Sequence, residues 1–194
     1  MFARKPGQRA RAVILIGFMG AGKSTVGRAL GELLGWTFED LDDRIERREQ
    51  RKVADIFRNS GESEFRRAEH AALQELLGEL QLGADRVVAL GGGAFVQKAN
   101  ARLIQDSGVP TVFLDADVTE LWRRCRAQAE GPGQGIERPL LGSMDSFRKL
   151  YEARRPHYLE ASFRQETIGK RVEEIAAALV QVLGMDEGRK KRRR

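Results

Sequence analysis

Residues 13–25 read Val-Ile-Leu-Ile-Gly-Phe-Met-Gly-Ala-Gly-Lys-Ser-Thr. Gly17, Gly22, Lys23 and Ser24 satisfy the pattern G-x-x-x-x-G-K-[ST], with Gly20 as a further glycine inside it. The β-branched run before it predicts a buried strand. The run after it carries Val26, Leu30, Leu33 and Leu34 at helical spacing. Strand, glycine-rich loop and helix thus follow in the order a phosphate cradle needs. Glycines let successive backbone N–H groups face one point, and the helix adds its positive N-terminal end. Lys23 is expected to reach the β- and γ-phosphates of a nucleoside triphosphate, and the Ser24 hydroxyl to occupy a Mg²⁺ ligand position.

Outward from this loop, strand-like and helix-like segments alternate, which predicts an α/β fold with a parallel sheet covered by helices on both faces. The expected strands are 12–16, 37–40, 86–90, 111–114 and 163–167. The expected helices are 23–34, 42–48, 53–59, 64–79, 99–107, 118–126, 144–160 and 170–183. There is no internal repeat and no linker that would divide two domains. One stretch has no periodicity: Gln-Ala-Glu-Gly-Pro-Gly-Gln-Gly-Ile at 128–136, followed by Glu137 and Arg138. A loop this rich in glycine, delivering an arginine, is expected to be a mobile lid over the nucleotide.

The chain has 194 residues, 41% of them hydrophobic, which suits one domain with a sizeable core. No apolar run approaches the roughly 20 residues of a bilayer span, and no signal peptide is recognisable before the first strand, so a cytoplasmic location is expected. The lone Cys125 excludes an internal disulfide, and with His70 and His157 as the only histidines a zinc site is not expected. The net charge of +6 is carried by the ends. Arg4, Lys5, Arg9 and Arg11 lie in the first segment, and Arg189, Lys190, Lys191, Arg192, Arg193 and Arg194 in the last. Removing these ten from the 34 basic residues leaves 24 against 28 acids. A nucleic-acid-binding domain would carry its basic excess on the folded part. Segments 1–11 and 184–194 are therefore expected to be basic and disordered, flanking a domain over 12–183, with weak contact to nucleic acid or an acidic partner as the other reading of the tail.

Asp40 and Asp42 stand at the carboxyl end of the second expected strand, where alternation would point both carboxylates to one side. Strand carboxyl ends surround the ligand crevice of an open α/β sheet, so one acid is expected to support hydrated Mg²⁺ and the other to accept a proton from an attacking hydroxyl. Asp42 also precedes a helical run and could instead cap it. Glu62 and Arg66 are four apart and can pair on a helix, stiffening the guanidinium towards an anion. Gly91, Gly92 and Gly93 follow another buried strand and allow close approach of a ligand. Arg154 and Arg155 precede Pro156 late in the chain.

The ordered set resembles shikimate kinases, of the nucleoside-monophosphate-kinase-like group of phosphate-loop proteins. It consists of Gly17 through Gly27, Phe38-Glu39-Asp40-Leu41-Asp42 with Ile45-Glu46, and Gly61-Glu62 through Phe65-Arg66 to Glu69. It continues with Leu90 through Ala94, Arg138-Pro139-Leu140-Leu141, and Arg154 through Pro156 to Tyr158. The resemblance spans about residues 12–183 and implies a P-loop three-layer sandwich with a five-stranded parallel sheet. It implies that Gly20, Ala21, Gly22, Lys23, Ser24 and Thr25 bind MgATP and that Asp40 holds the metal through water. Asp42 would meet the shikimate hydroxyl as base, with Lys23 and Arg138 as its catalytic companions. Arg66 and Arg154 would clamp the substrate carboxylate, and Gly92, flanked by Gly91 and Gly93, would approach a ring hydroxyl. Arg138 would close from the lid at about 127–141, and Arg124 and Lys170 would lie on the adenine side. The implied reaction is phosphorylation of the 3-hydroxyl of shikimate, in aromatic amino-acid biosynthesis, by a monomer that engages neither membrane nor nucleic acid. A kinase for another polyol acid such as gluconate, or a nucleotide-gated regulatory protein on the same fold, are the alternatives. Two departures stand out: a lid longer than usual in the family, and Gln50 where the family pattern has glycine, a change expected to be harmless.

Overall fold

The computed structural model describes residues 11–129 and 142–185. Chain order is β1 (Ala12–Ile16), α1 (Lys23–Leu34), β2 (Thr37–Asp40), α2 (Leu41–Glu49), α3 (Val53–Gln81) and β3 (Arg86–Ala89). It continues with α4 (Lys98–Ser107), β4 (Thr111–Asp115), α5 (Val118–Ala129), α6 (Met144–Tyr158), β5 (Phe163–Glu166) and α7 (Val172–Val182). The five strands form one parallel sheet in the order β2-β3-β1-β4-β5. Helices cover both faces, as the alternation predicts. α1 packs on α7, α3 on α2 and α4, and α5 on α6. Central β1 and β4 are buried at every residue, whereas the outermost strands β2 and β5 are partly open. That gradient is why the middle strands read as unbroken apolar runs.

Several boundaries differ from the sequence reading by a few residues, and two of these differences have clear local reasons. The expected helices 53–59 and 64–79 are continuous in space as α3, broken only at Gly61, whose φ of 80° and ψ of 174° no helix contains. α2 begins at Leu41 because Asp40 caps it: Asp40 Oδ1 accepts the Asp42 backbone N–H at 3.1 Å. Acids at Asp42 and Asp43 and bases at Arg47 and Arg48 then match the helix dipole. Of the terminal segments, Arg11 is described and pairs with Asp85 at 2.7 Å, and Met185 is buried. Residues 1–10, 130–141 (which include Arg138 and most of the expected lid) and 186–194 lie outside the described residues. Among the described residues no helix is long and apolar enough to cross a membrane.

Gln50 ends α2 in the left-handed region, φ 52° and ψ 33°, and is the one non-glycine residue with positive φ among those described. A side chain there costs roughly 1–2 kcal/mol relative to glycine before the entropy of a glycine is charged against the gain. Gln50→Gly should therefore raise the unfolding free energy by about 0.5–1 kcal/mol in urea titration, less any contribution from the exposed Gln50 side-chain bond to the Arg47 carbonyl.

Candidate active site

The loop after β1 opens the crevice at the carboxyl ends of the strands. Gly20 and Gly22 hold φ of 78° and 88°, and a Cβ at Gly20 would sit 2.8 Å from both Cys125 Sγ and the Leu121 carbonyl. The loop is thus seated directly on α5. Gly22 caps α1, so the first amides of that helix face the loop centre. Lys23 Nζ donates to the carbonyls of Gly17 (2.9 Å) and Phe18 (3.1 Å), which lays its ammonium across the cradle. Ser24 Oγ donates to Asp40 Oδ2 at 2.9 Å. A hydroxyl and a carboxylate side by side are hard oxygen donors suited to Mg²⁺. Among the described residues no group of three or more acidic, histidine or cysteine side chains could hold a metal without help. This pair therefore fits an ion that arrives with phosphate.

Asp42 lies in the first turn of α2 rather than on β2, so strand alternation is not what brings it beside Asp40. The helix turn does. Its Oδ1 is buried and has no hydrogen-bond partner, and a Cβ at Gly91 would come within 2.9 Å of it. Burial, then the neighbouring charges of Asp40 and Glu69, push the Asp42 carboxyl up to about 6, against a smaller opposing pull from Lys23.

The turn after β3 then meets the two arginines. A Cβ at Gly93 would lie 2.9 Å from Arg66 Nη1 and Nη2, and one at Gly92 would lie 3.6 Å from Arg154 Nη1. Arg66 is held from two sides. Its Nε and Nη2 donate to Glu62 Oε1 at 3.2 and 3.0 Å, and its Nη1 donates to both oxygens of Glu69 at 3.1 and 3.0 Å. Glu62 is 67% exposed and Glu69 only 1%, so the expected Glu62 pair exists but the inner carboxylate fixes the fork. Burial raises the Glu69 carboxyl, opposed by Arg66 and then Arg154. A phosphate cradle, a buried acid with an open oxygen and two converging arginines thus surround one crevice.

A family model described as shikimate kinase matches residues 19–184. A shikimate kinase of Ruegeria pomeroyi is 41% identical over 177 residues, covering 87% of this chain and 85% of that protein. The chain belongs to the shikimate kinase family. A solved shikimate kinase from Acinetobacter baumannii, in complex with shikimate, superposes with a TM-score of 0.74 at 31% identity, covering 93% of this chain and 96% of that one. A gluconokinase structure from Sinorhizobium meliloti, at 18% identity and a TM-score of 0.57, shares the fold alone.

Within the shikimate kinase fold, Arg124 lies where α5 meets the segment after β5. Its Nε donates to Glu120 at 2.7 Å, and its Nη1 and Nη2 donate to Thr167 Oγ1 and O at 3.0 and 3.1 Å. Lys170, three residues beyond Thr167, is exposed. Thr25 is exposed on α1 and Ala21 is buried under the loop. Sequence reading overlooked the role of Glu69. The available signal was an acid three residues after Arg66 on the face of α3 that carries Phe65, Ala72, Leu73 and Leu76.

The raised Asp42 carboxyl is also a stability statement. The folded state holds this proton more tightly than the unfolded chain, so between the ordinary aspartate range and about 6 the fold loses stability as pH rises. At pH 8 the whole penalty, on the order of 2–3 kcal/mol, is present. Asp42→Asn should therefore be more stable than the parent in urea at pH 8, with the advantage shrinking as pH falls through 6 towards 4.

Proposed function

We infer that this chain transfers the γ-phosphoryl group of ATP to the 3-hydroxyl of shikimate, giving ADP and shikimate 3-phosphate. The observation that carries this reading is the orphaned Asp42 Oδ1, set between the phosphate cradle and the Arg66–Arg154 pair. A small ring bearing a carboxylate and several hydroxyls meets each of these demands at once. Its carboxylate would be held by the two guanidinium groups, its ring would lie on the Gly91–Gly93 turn, and the reacting hydroxyl would donate to Asp42. With its carboxyl raised to about 6, Asp42 is ionised at neutral pH yet basic enough to take the proton.

The amides of Gly20, Ala21, Gly22, Lys23, Ser24 and Thr25 would bind the phosphates, with the Lys23 ammonium neutralising charge as the phosphoryl group moves in line. Ser24 and, through water, Asp40 would hold Mg²⁺, which when bound supplies charge to the β- and γ-phosphate oxygens. Held by Glu120 and Thr167, Arg124 would offer the flat face of its guanidinium to the base, with Lys170 nearby. Arg138 would complete the phosphate contacts from the lid and exclude water during transfer. We place this enzyme in the cytoplasm as a monomer acting on small molecules.

An ADP-release assay with shikimate, quinate and gluconate side by side tests the substrate. Turnover is expected with shikimate, and turnover with gluconate in its place would overturn the reading. kcat should fall as pH drops below about 6, where Asp42 becomes protonated. Asp42→Asn should lose about 10²–10⁴-fold in kcat while keeping its affinity for ATP. Arg66→Lys and Arg154→Lys should each raise KM for shikimate about tenfold or more and leave KM for ATP nearly unchanged, because lysine cannot make the bidentate contact.

A further inference from the structure

The two arginines of the crevice are held by different means. Arg66 has a carboxylate on either side. Arg154 projects from α6 over the face of Phe18, 6.0 Å from the ring centre, and feels Glu69 through its charge. A long side chain with that support loses much rotamer entropy whenever it must adopt one pose, so something else has to orient it.

The candidate is one turn further along the same helix. Tyr158 is 1% exposed, its ring lies against Phe113 with centroids 5.3 Å apart, and its hydroxyl donates to the Gly92 carbonyl. The Tyr158 hydroxyl and Arg154 Nη1 lie 3.7 and 3.6 Å from the point where a Gly92 Cβ would stand. Burial drives the phenol pKa up to about 12, and the charge and hydrogen bond of Arg154 oppose that rise. The phenol is therefore neutral throughout the working range. It donates its proton to the Gly92 carbonyl and keeps a lone pair that the guanidinium beside Gly92 could use.

We propose that Tyr158 is a positioning residue for shikimate: its buried hydroxyl links the Arg154 guanidinium to the backbone of Gly92, so that the carboxylate-binding arginine and the glycine turn are held as one unit. The proposal rests on the shikimate reading above. Tyr158 touches no substrate in this arrangement and acts through its two neighbours. A guanidinium donating to this buried neutral hydroxyl would be held by a charge-assisted bond, and deleting the hydroxyl would also take from the Gly92 carbonyl the donor it has here.

The test is a double-mutant cycle of Tyr158→Phe and Arg154→Lys, read in steady-state kinetics with both substrates and in calorimetric titration of shikimate. Tyr158→Phe keeps the ring on Phe113 and deletes only the hydroxyl. It should raise KM and the dissociation constant for shikimate about tenfold, with much smaller changes in kcat and in KM for ATP. In the Arg154→Lys background the same change should cost less than about twofold, because the arginine it orients is gone. A shikimate KM within twofold of the parent overturns the proposal, as do losses that multiply independently or fall equally on ATP. Should Tyr158→Phe fail to fold, 3-fluorotyrosine at position 158, whose hydroxyl is a weaker acceptor, should still raise KM for shikimate selectively, and an unchanged KM there overturns the proposal. A parent chain that turns over ATP with no response to shikimate removes the substrate reading and this proposal together.

Discussion

Three consecutive residues without side chains let one end of this crevice close. The turn at Gly91, Gly92 and Gly93 meets Asp42, then Arg154 with Tyr158, then Arg66, each at the distance where a Cβ would touch or collide. At Gly91 and Gly93 the collision would be with the functional atoms themselves, Asp42 Oδ1 and the Arg66 guanidinium nitrogens. The constraint is one of space rather than of backbone angle, since none of the three has the left-handed φ that demands glycine. What the turn provides is bare backbone against which an acid and two arginines from three different helices can converge.

That convergence concentrates charge where water is scarce. Asp42 and Glu69 are both pushed above the usual carboxylate range, first by burial, and Asp42 further by the charges of Asp40 and Glu69. The arginines do not cancel this equally. Both oxygens of Glu69 accept from Arg66 Nη1, and Asp42 Oδ1 has no partner. An acid left with an open, buried oxygen costs stability and gains basicity. Isolated removal of a buried partner is far more damaging than removal of a whole pair, so Glu69 and Arg66 have to be considered together.

Away from the crevice a cluster of paired charges carries the frame. Glu39, 9% exposed on β2, accepts from Arg44 at 2.9 Å, Arg47 at 2.8 Å and Arg86 at 2.6 Å, while Glu79 of α3 accepts from Arg44 at 2.8 Å and Arg86 at 2.7 Å. This network joins β2, α2, α3 and β3 on the side opposite the functional acids. It fixes the β2–α2 junction that presents Asp40 and Asp42 relative to the helix that presents Arg66. The helix cap at Asp40 belongs to the same junction: one oxygen ends the strand and begins the helix, and the other faces Ser24.

Much of this was legible from residue order alone. The loop from Gly17 to Ser24 has a mechanism written into consecutive residues, and unbroken apolar runs at β1 and β4 identify strands buried on both faces, so the α/β sandwich and the phosphate site follow from local pattern. Asp40, Asp42, Arg66, the glycine turn and Arg154 could be picked out because each falls just beyond a strand or in a distinctive motif. Their mutual geometry could not. Strand alternation seemed to align the two aspartates, yet a helix cap does so, because capping depends on where the backbone turns and not on side-chain periodicity. The i,i+4 rule found the exposed Glu62, while the deciding partner, Glu69, is set by which face of α3 packs inward. That Gly91, Gly92 and Gly93 each oppose a different functional side chain, and that Tyr158 reaches Gly92 from 66 residues away, are contacts between distant segments. Short-range pattern is determined by neighbours in the chain, whereas these approaches arise only when the sheet order brings β3 beside β1 and the helices close over both.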